Sequence, residues 1–552
     1  MTAGPRFDLR RGRSPSLGWR GFRELLFALP LYQVTLAGGA PDAVRGTPPD
    51  PWPGDKEAAA ALIDGEFLFM GRRFVLGAAP WSAIEASPEA AQCMHRFGWL
   101  RDLRAVATNA ARRRARDLVS EWIETNGRWN PRAWQADVIG ERSVNLLTSF
   151  TFLAHDGGAD FAARVLATLA RQLRHLARAA ASAPGDARVL RAAKGLIYGG
   201  ACLPGREACL EAGLALLERE LDRRILPDGG HTQRNPSLQL DVLRDLIDVR
   251  ATLVSASVEV PFALQSAIDR TMPMIRTLRH GDGRFALFNG GIEGDERIVN
   301  VALAHTGSTG SALMSAPHSG FNRLAAGRVV IIADVGAPPA PGSDELAHAG
   351  TLSFEMSVGK ERLIVNCGGH VHGNGPWRDA LRATAAHSTL VVDETNSCEL
   401  LAEGGLGRRP SDVIAARREV DGNLLIAASH DGYTRPFALE HKRTIYLAPD
   451  GSDVRGEDAL IGSGGSAFAA RFHLHPDVKA SLAEDAGSVL LKLRSGAGWR
   501  FRASGGGLAL EDSIYSAGDG EIRRTRQIVV AGALSGQGAL VKWRLGREGA
   551  KR

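Results

Sequence analysis

The chain has 552 residues, 44% of them hydrophobic, and a formal net charge of +6. That apolar share supplies a real core, which excludes an intrinsically disordered protein and predicts two to four domains. No lysine/arginine block with interleaved aromatics is present. This argues against nucleic acid, while the mild basic excess fits either a solvated arginine-rich surface or a groove for an anionic polymer.

Residues 1–90 are rich in Pro and Gly, with short apolar pieces such as "GEFLFMGRRFVLG", and predict an extended arm that wraps the elements that follow. Within it Arg10, Arg11, Arg13, Arg20 and Arg23 lead into "LLFALPLYQVTLAGGA". The pattern imitates a secretory signal, but the basic region is too long and Pro30 and Gln33 interrupt the apolar run. A soluble chain is expected, cytoplasmic by default and periplasmic as the alternative. No run has the apolar length of a membrane span.

From 91 to 315 the apolar spacing is helical. Leu118, Val119, Trp122 and Ile123 recur at three and four. So do Val165, Leu166, Leu169, Leu173 and Leu176, then Leu210, Leu214, Leu217, Leu221 and Ile225, then Leu240, Leu243, Leu246 and Ile247. Separators such as "TNGRWNPRAW", "HDGGAD" and "SAPGDA" hold the Gly, Pro, Asn and Asp that stop helices. Successive helical hairpins with no repeat signature predict a closed ring of helix pairs rather than a solenoid. From 316 to 552 the period drops to two, as in "LSFEMSVG" and the hairpin "VLLKLRSGAGWRFRA", which predicts a large antiparallel sandwich. The expected fold class is therefore α+β and multidomain, with a ligand groove between the halves. Five cysteines (Cys93, Cys202, Cys209, Cys367 and Cys398) form no CxxC pair. Reduced, buried thiols are expected rather than a disulfide framework.

Three clusters could carry chemistry. In "DGGHTQRNPSLQ", Gly229 and Gly230 stop one helix, and Asn235 caps the next with Pro236 at its first position. That punctuation leaves His231, Gln233 and Arg234 without a stated purpose. In the second cluster His348, Asn366 and His387 sit at strand ends, where they could converge on a metal or simply bond turn backbone. In "GGHVHGNGPWR", His370, His372, Trp377 and Arg378 could offer proton transfer, a sugar-stacking face and an anion clamp, or form a plain surface loop. His473 and His475 in "RFHLHPDV" share a strand face and are expected as a satisfied surface pair.

The helical half, "LPDGGHTQRNP", "HAGTLSFEMSVG" and "RATAAHSTLVVD" together resemble the heparinase II/III-like polysaccharide lyases. Ser388 stands where that family usually has Asn. The resemblance implies an (α/α) toroid followed by an antiparallel β-sandwich, and cleavage of an acidic, uronate-containing polysaccharide by β-elimination. That reaction needs a donor to neutralise the uronate carboxylate, a base, and an acid for the leaving oxygen. The family typically supplies an Asn or His from the toroid, a Tyr often followed by His after the loop, and a His in the β domain. Here those positions fall near Asp186, at Leu238-Gln239 and at Leu346. A structural zinc site of the family maps onto His348, Asn366 and His387, with Asn in place of the usual Asp. If elimination occurs, the candidates are His231 as base or neutraliser, His370 or His372 as acid and Tyr198 as a further donor. Arg234, Asn235, Gln239, Trp377 and Arg378 would then bind substrate. The rival expectation is a non-catalytic glycan-binding or cell-envelope protein that keeps the groove and has lost the chemistry.

Overall fold

The computed structural model describes residues 19–183, 187–305, 310–369, 376–484, 486–518 and 520–549. Two short helices, α1 (Trp19–Ala28) and α2 (Pro30–Thr35), are the first described elements. An extended stretch then runs along the toroid, where Arg174 donates to the carbonyl of Leu36 at 2.7 Å and the Arg45 amide donates to the carbonyl of Cys202 at 2.8 Å. It ends in a helix (Lys56–Ile63) capped by the Asp55 carboxylate and a small hairpin (Glu66–Phe69 with Arg72–Val75).

Seven long helices follow: α3 (Asn109–Asn126), α4 (Ala136–Thr148), α5 (Ala159–Ala179), α6 (Ala187–Cys202), α7 (Glu207–Arg224), α8 (Pro236–Ser255) and α9 (Phe262–Thr277). The periodic residues of α3, α5 and α8 are their buried faces, Ile123 only partly, whereas Leu210 and Leu214 of α7 are also only partly covered. Helices α4 and α6 are buried almost all round, as inner helices of a ring must be. They cross where two glycines meet: a Cβ on Gly195 would lie 2.4 Å from the Cα of Gly140. Only glycine permits that approach. Among the described residues, no helix is long and apolar enough to cross a membrane.

Among the described residues the helix Glu296–His305 closes the helical half, and the first strand of the sandwich half begins at Ser315. Two antiparallel sheets pack face to face. One runs Gly507–Tyr515, Arg523–Ala533, Ala467–Leu474, Glu361–Val365, Phe354–Val358, Val329–Asp334 and Phe321–Ala326 in spatial order. The other runs Lys479–Leu482, Ser488–Lys492, Gly498–Ser504, Ala539–Arg547, Asp453–Gly462, Leu439–Leu447, Asn423–His430 and Val413–Val420. Period-two residues from both, including Phe354, Phe472, Phe501 and Trp543, fill the space between them, with the Phe354 and Trp543 rings stacked at 5.6 Å. The toroid core continues into the first strands through Phe288 against Phe321.

One ion pair lies inside the sandwich. Arg443 meets Asp458 at 2.7 and 3.1 Å, and both are buried. His441 and Trp543 complete the carboxylate's partners, and Arg443 also donates to the carbonyls of Leu352 and Ser388. The histidine pair expected at the surface is buried instead. His473 bonds Ser513 and the Ala385 carbonyl, and His475 packs its ring against Tyr515. All five cysteines are free thiols; three are buried, and Cys93 and Cys209 are partly covered.

Candidate functional site

The loop between α7 and α8 is built as a clamp. Asp228 accepts from the backbone and hydroxyl of Ser319, at the start of the sandwich. Asn235 caps α8, accepting from the amides of Ser237 and Leu238 at 3.0 Å, and its own amide donates to the Asn289 carbonyl. Gln239 reaches back from α8, accepting from the His231 amide at 2.6 Å and donating to the Gly229 carbonyl. His231 is buried, and its Nδ1 accepts from the Gln233 amide.

Arg234 takes a left-handed backbone (φ 54°) and sends its guanidinium into the sandwich. It donates to the carbonyls of Ser319, Gly320 and Ala337, pairs with buried Asp334, and lies over the Phe321 ring. Gly320 and Gly336 line its slot, where a Cβ on either would sit 2.9 Å from the guanidinium. The Arg234 side chain thus holds the toroid to the sandwich, while Asn235 and Gln239 brace the loop and the helix that follows it. Tyr198 is likewise sealed inside α6, its hydroxyl on the Asp248 carbonyl at 3.2 Å, and burial pushes its phenol up. As proton carriers or carboxylate binders for a polymer in the groove, His231, Tyr198, Arg234, Asn235 and Gln239 are out of reach.

Trp377 and Arg378 do face solvent, on the short helix Pro376–Arg382; Trp377 is 41% exposed and Arg378 donates to the Ala402 carbonyl. His370, His372 and Asp186 lie outside the described residues.

The residues mapped to zinc do converge, as a hydrogen-bonded pair. His387 donates from Nδ1 to the Ala383 carbonyl at 2.8 Å, which leaves its Nε2 as the acceptor for His348 Nδ1 at 3.0 Å. Asn366 is engaged at both ends, donating to the Leu287 carbonyl and accepting from the Ser388 amide. Among the described residues no group of three His, Cys, Asp or Glu side chains gathers here or elsewhere. The two imidazoles therefore meet in a buried hydrogen-bonded pair, beside an amide held at both ends.

Residues outside the sequence-predicted set carry the charge on this side of the toroid. Arg188 of α6 pairs with Glu345 of the sandwich half at 2.9 Å, next to Leu346, which is 48% exposed. Deeper along α4, α6 and α8, Arg191 joins Glu141 and Asp241, and Lys194 joins Asp245 and Asp248. These surround a cavity of about 240 Å³. Burial works against the Lys194 charge, yet the two carboxylates outweigh it and push the ammonium up. The N-terminal arm closes one side: Trp52 donates to Asp248 and lies under Arg244. Next to Arg188 is a second cavity of about 300 Å³, lined by Trp129, Trp134, Phe27 and His175. The available signal was charge at one-turn spacing (Arg188, Arg191, Lys194) on helices otherwise apolar all round. Trp129 and Trp134 sit in a segment that sequence reasoning treats as a separator.

Behind the clamp, the toroid and sandwich share a buried acid. Glu355 meets His280 Nε2 at 3.0 Å and accepts from the Asn366 amide, with Arg362 at 3.8 Å. Burial pushes Glu355 up to about 7, more than Arg362 pulls it down, and burial holds His280 neutral. An acid whose folded pKa is raised favours folding below its unfolded value and loses that contribution as pH rises. Unfolding free energy should therefore fall by on the order of 3 kcal/mol between pH 4.5 and about 7 on account of this group. Urea titrations of Glu355→Gln over that range should lack this slope; an unchanged slope would assign it elsewhere.

The architecture is the toroid-plus-sandwich fold of polysaccharide lyases, with a charged cavity among the toroid helices. The family description "Heparinase II/III-like, C-terminal" matches residues 308–544. FtsZ-localized protein C of Caulobacter vibrioides is 32% identical over 546 residues, spanning 93% of this chain and 92% of that one. The chain belongs to the heparinase II/III-like family. Among solved structures, heparinase III superposes with a TM-score of 0.74 at 12% identity, covering 96% of this chain and 92% of the other. A mutant of the heparan sulfate lyase HepC from Pedobacter heparinus superposes at 0.66 with 15% identity, covering 96% and 88%. These likenesses establish the fold.

Proposed function

We propose that this protein binds an acidic, uronate-containing glycan in the toroid–sandwich groove without cleaving it by β-elimination, in a setting shared with FtsZ. The carrying observation is the pair Leu238 and Leu346. Both stand where the family resemblance expects a proton carrier, and a hydrocarbon can neither take nor give one. The alternatives on the toroid side, His231 and Tyr198, are buried within the protein. Binding needs less: an arginine at the rim, aromatic faces beside it and a walled groove. Arg188 and half-buried Trp129 line such a cavity on the toroid side. The FtsZ setting rests on the identity to FtsZ-localized protein C along nearly the whole length of both chains.

The test exposes the purified protein to heparan sulfate, chondroitin sulfate, hyaluronan and alginate, with dextran as the neutral control. Calorimetry reads binding, and absorbance of the unsaturated uronate reads elimination. Binding without absorbance is expected, and Arg188→Glu should weaken it at least about tenfold, the equivalent of one charge-assisted contact. Rising absorbance overturns the non-catalytic reading. No binding to any acidic glycan overturns the glycan reading altogether.

A further inference from the structure

Helix α5 carries a row of arginines on the side not taken up by its buried leucines. Arg164, Thr168 and Arg171 follow the i, i+4, i+7 spacing of one helical stripe, and Arg174 lies one turn beyond. Together with Arg128, just past the end of α3, they line a cavity of about 480 Å³ between α3, α5 and the extended stretch after α2. Four guanidiniums and one carboxylate, Glu124, face this space, a surplus of three positive charges.

The way these cations are held preserves their charge. Arg174 donates to the carbonyls of Leu36, Gly39 and Gly38 at 2.7, 3.2 and 3.4 Å, and Arg171 donates to the Gly127 carbonyl at 3.3 Å. Carbonyls fix a guanidinium in place without cancelling its charge, and each fork keeps N–H groups to spare. Among the described residues, the ion pair at this cavity joins Arg164 to Glu124 at 3.5 Å. Both side chains are well exposed, so the pair is worth little. Burial, and then the charges of Arg206, Arg171 and Arg178, push the Arg174 guanidinium down. An anion placed among these arginines relieves that crowding.

The lining also decides which anion fits. Among the described residues none that lines the cavity is aromatic, so it offers no stacking face to a sugar ring or a base. What it offers is planar donor forks at one-turn spacing, which match the acceptor-rich oxygens of phosphate. A uronate polymer carries its carboxylates one to a sugar ring, whereas an oligophosphate concentrates several charges within one such cavity. We infer that the cavity between α3 and α5 binds an oligophosphate, either a free chain or the phosphate chain of a nucleotide. It shares no lining residue with the cavity beside Arg188, so this inference stands apart from glycan binding.

Calorimetry on the full-length protein tests it with sodium tripolyphosphate, pyrophosphate, orthophosphate and sulfate, at low and high salt. Affinity should rise from sulfate through pyrophosphate to tripolyphosphate, and fall with salt. Arg128→Gln with Arg164→Gln, both at exposed positions, should weaken tripolyphosphate binding at least about tenfold with an unchanged melting temperature. Arg171→Lys should weaken it too, because it keeps the charge and loses the fork. ATP distinguishes the source. Affinity equal to that of tripolyphosphate supports a free chain, and tighter binding that needs the same arginines supports a nucleotide. Binding that is unchanged in the arginine variants overturns the proposal. So does an equal loss in Arg502→Gln with Lys542→Gln, on sandwich strands Gly498–Ser504 and Ala539–Arg547. Absence of oligophosphate binding also overturns it, in favour of a sulfated glycan where heparin binds and the same variants abolish that binding.

Discussion

Arg234→Ala should lower the free energy of unfolding by about 3–5 kcal/mol, the range for removing one partner of a buried, hydrogen-bonded ion pair. The substitution leaves Asp334 inside the protein without its cation, and strips donors from the carbonyls of Ser319, Gly320 and Ala337. Arg234→Lys should recover little of this, because a point-charge ammonium cannot reproduce a planar fork that serves several acceptors at once. The measurement is urea unfolding followed by fluorescence, alongside glycan affinity at a temperature where the variant remains folded. A variant of normal stability and reduced affinity would return Arg234 to the role that its sequence position suggested, a binder of substrate carboxylate.

Asp458→Ala should be comparably damaging, again by about 3–5 kcal/mol, since it strands Arg443 between the two sheets. Burial works to raise the Asp458 carboxyl, but Arg443 and His441 outweigh it and hold it well below the usual carboxylate range. A depressed acid contributes stability above its unfolded pKa, and that contribution is lost as pH falls through the folded value. The native chain should therefore lose stability steadily below about pH 4, and the variant should lose less over the same interval. Identical acid limbs for the two proteins would show that the pair contributes nothing. Because Arg443 also holds the Leu352 and Ser388 carbonyls, the variant should loosen the turn that carries His387.

Glu355 acts with the opposite sign across the middle of the pH range. The two buried acids together should give a stability maximum between acid loss at Asp458 and the decline toward pH 7 from Glu355.

The order of elements was readable because it depends on local chemistry. The period of apolar residues in "ARVLATLARQLRHLARA" differs from that in "LSFEMSVG", and the two periods demand different backbones. The Asn235–Pro236 cap was readable for the same reason: its partners lie two and three residues away. The site was not readable in this way. His231, Arg234 and Gln239 are polar residues in a glycine-marked loop, a context that suits catalysis and clamping equally well. His231 and Gln239 bond within the loop, but the partners that decide the role of Arg234, among them Ser319, Asp334 and Gly336, lie 85–102 residues away in sequence. The histidines at 473 and 475 failed similarly. Alternation told which face they share, but whether that face met solvent depended on what packed over it.

By itself, then, the sequence determined a helical ring followed by a sandwich, the cap on α8, and the apolar leucines at 238 and 346. These are properties of residue type and spacing over a few positions. Only the tertiary structure decided that the polar loop is a strut and that Arg188 and Arg191 line cavities of the toroid. Each of those outcomes turns on burial and on partners distant along the chain. A charge or a leucine has the same identity in either place, and its surroundings alone decide whether it binds, braces or faces water.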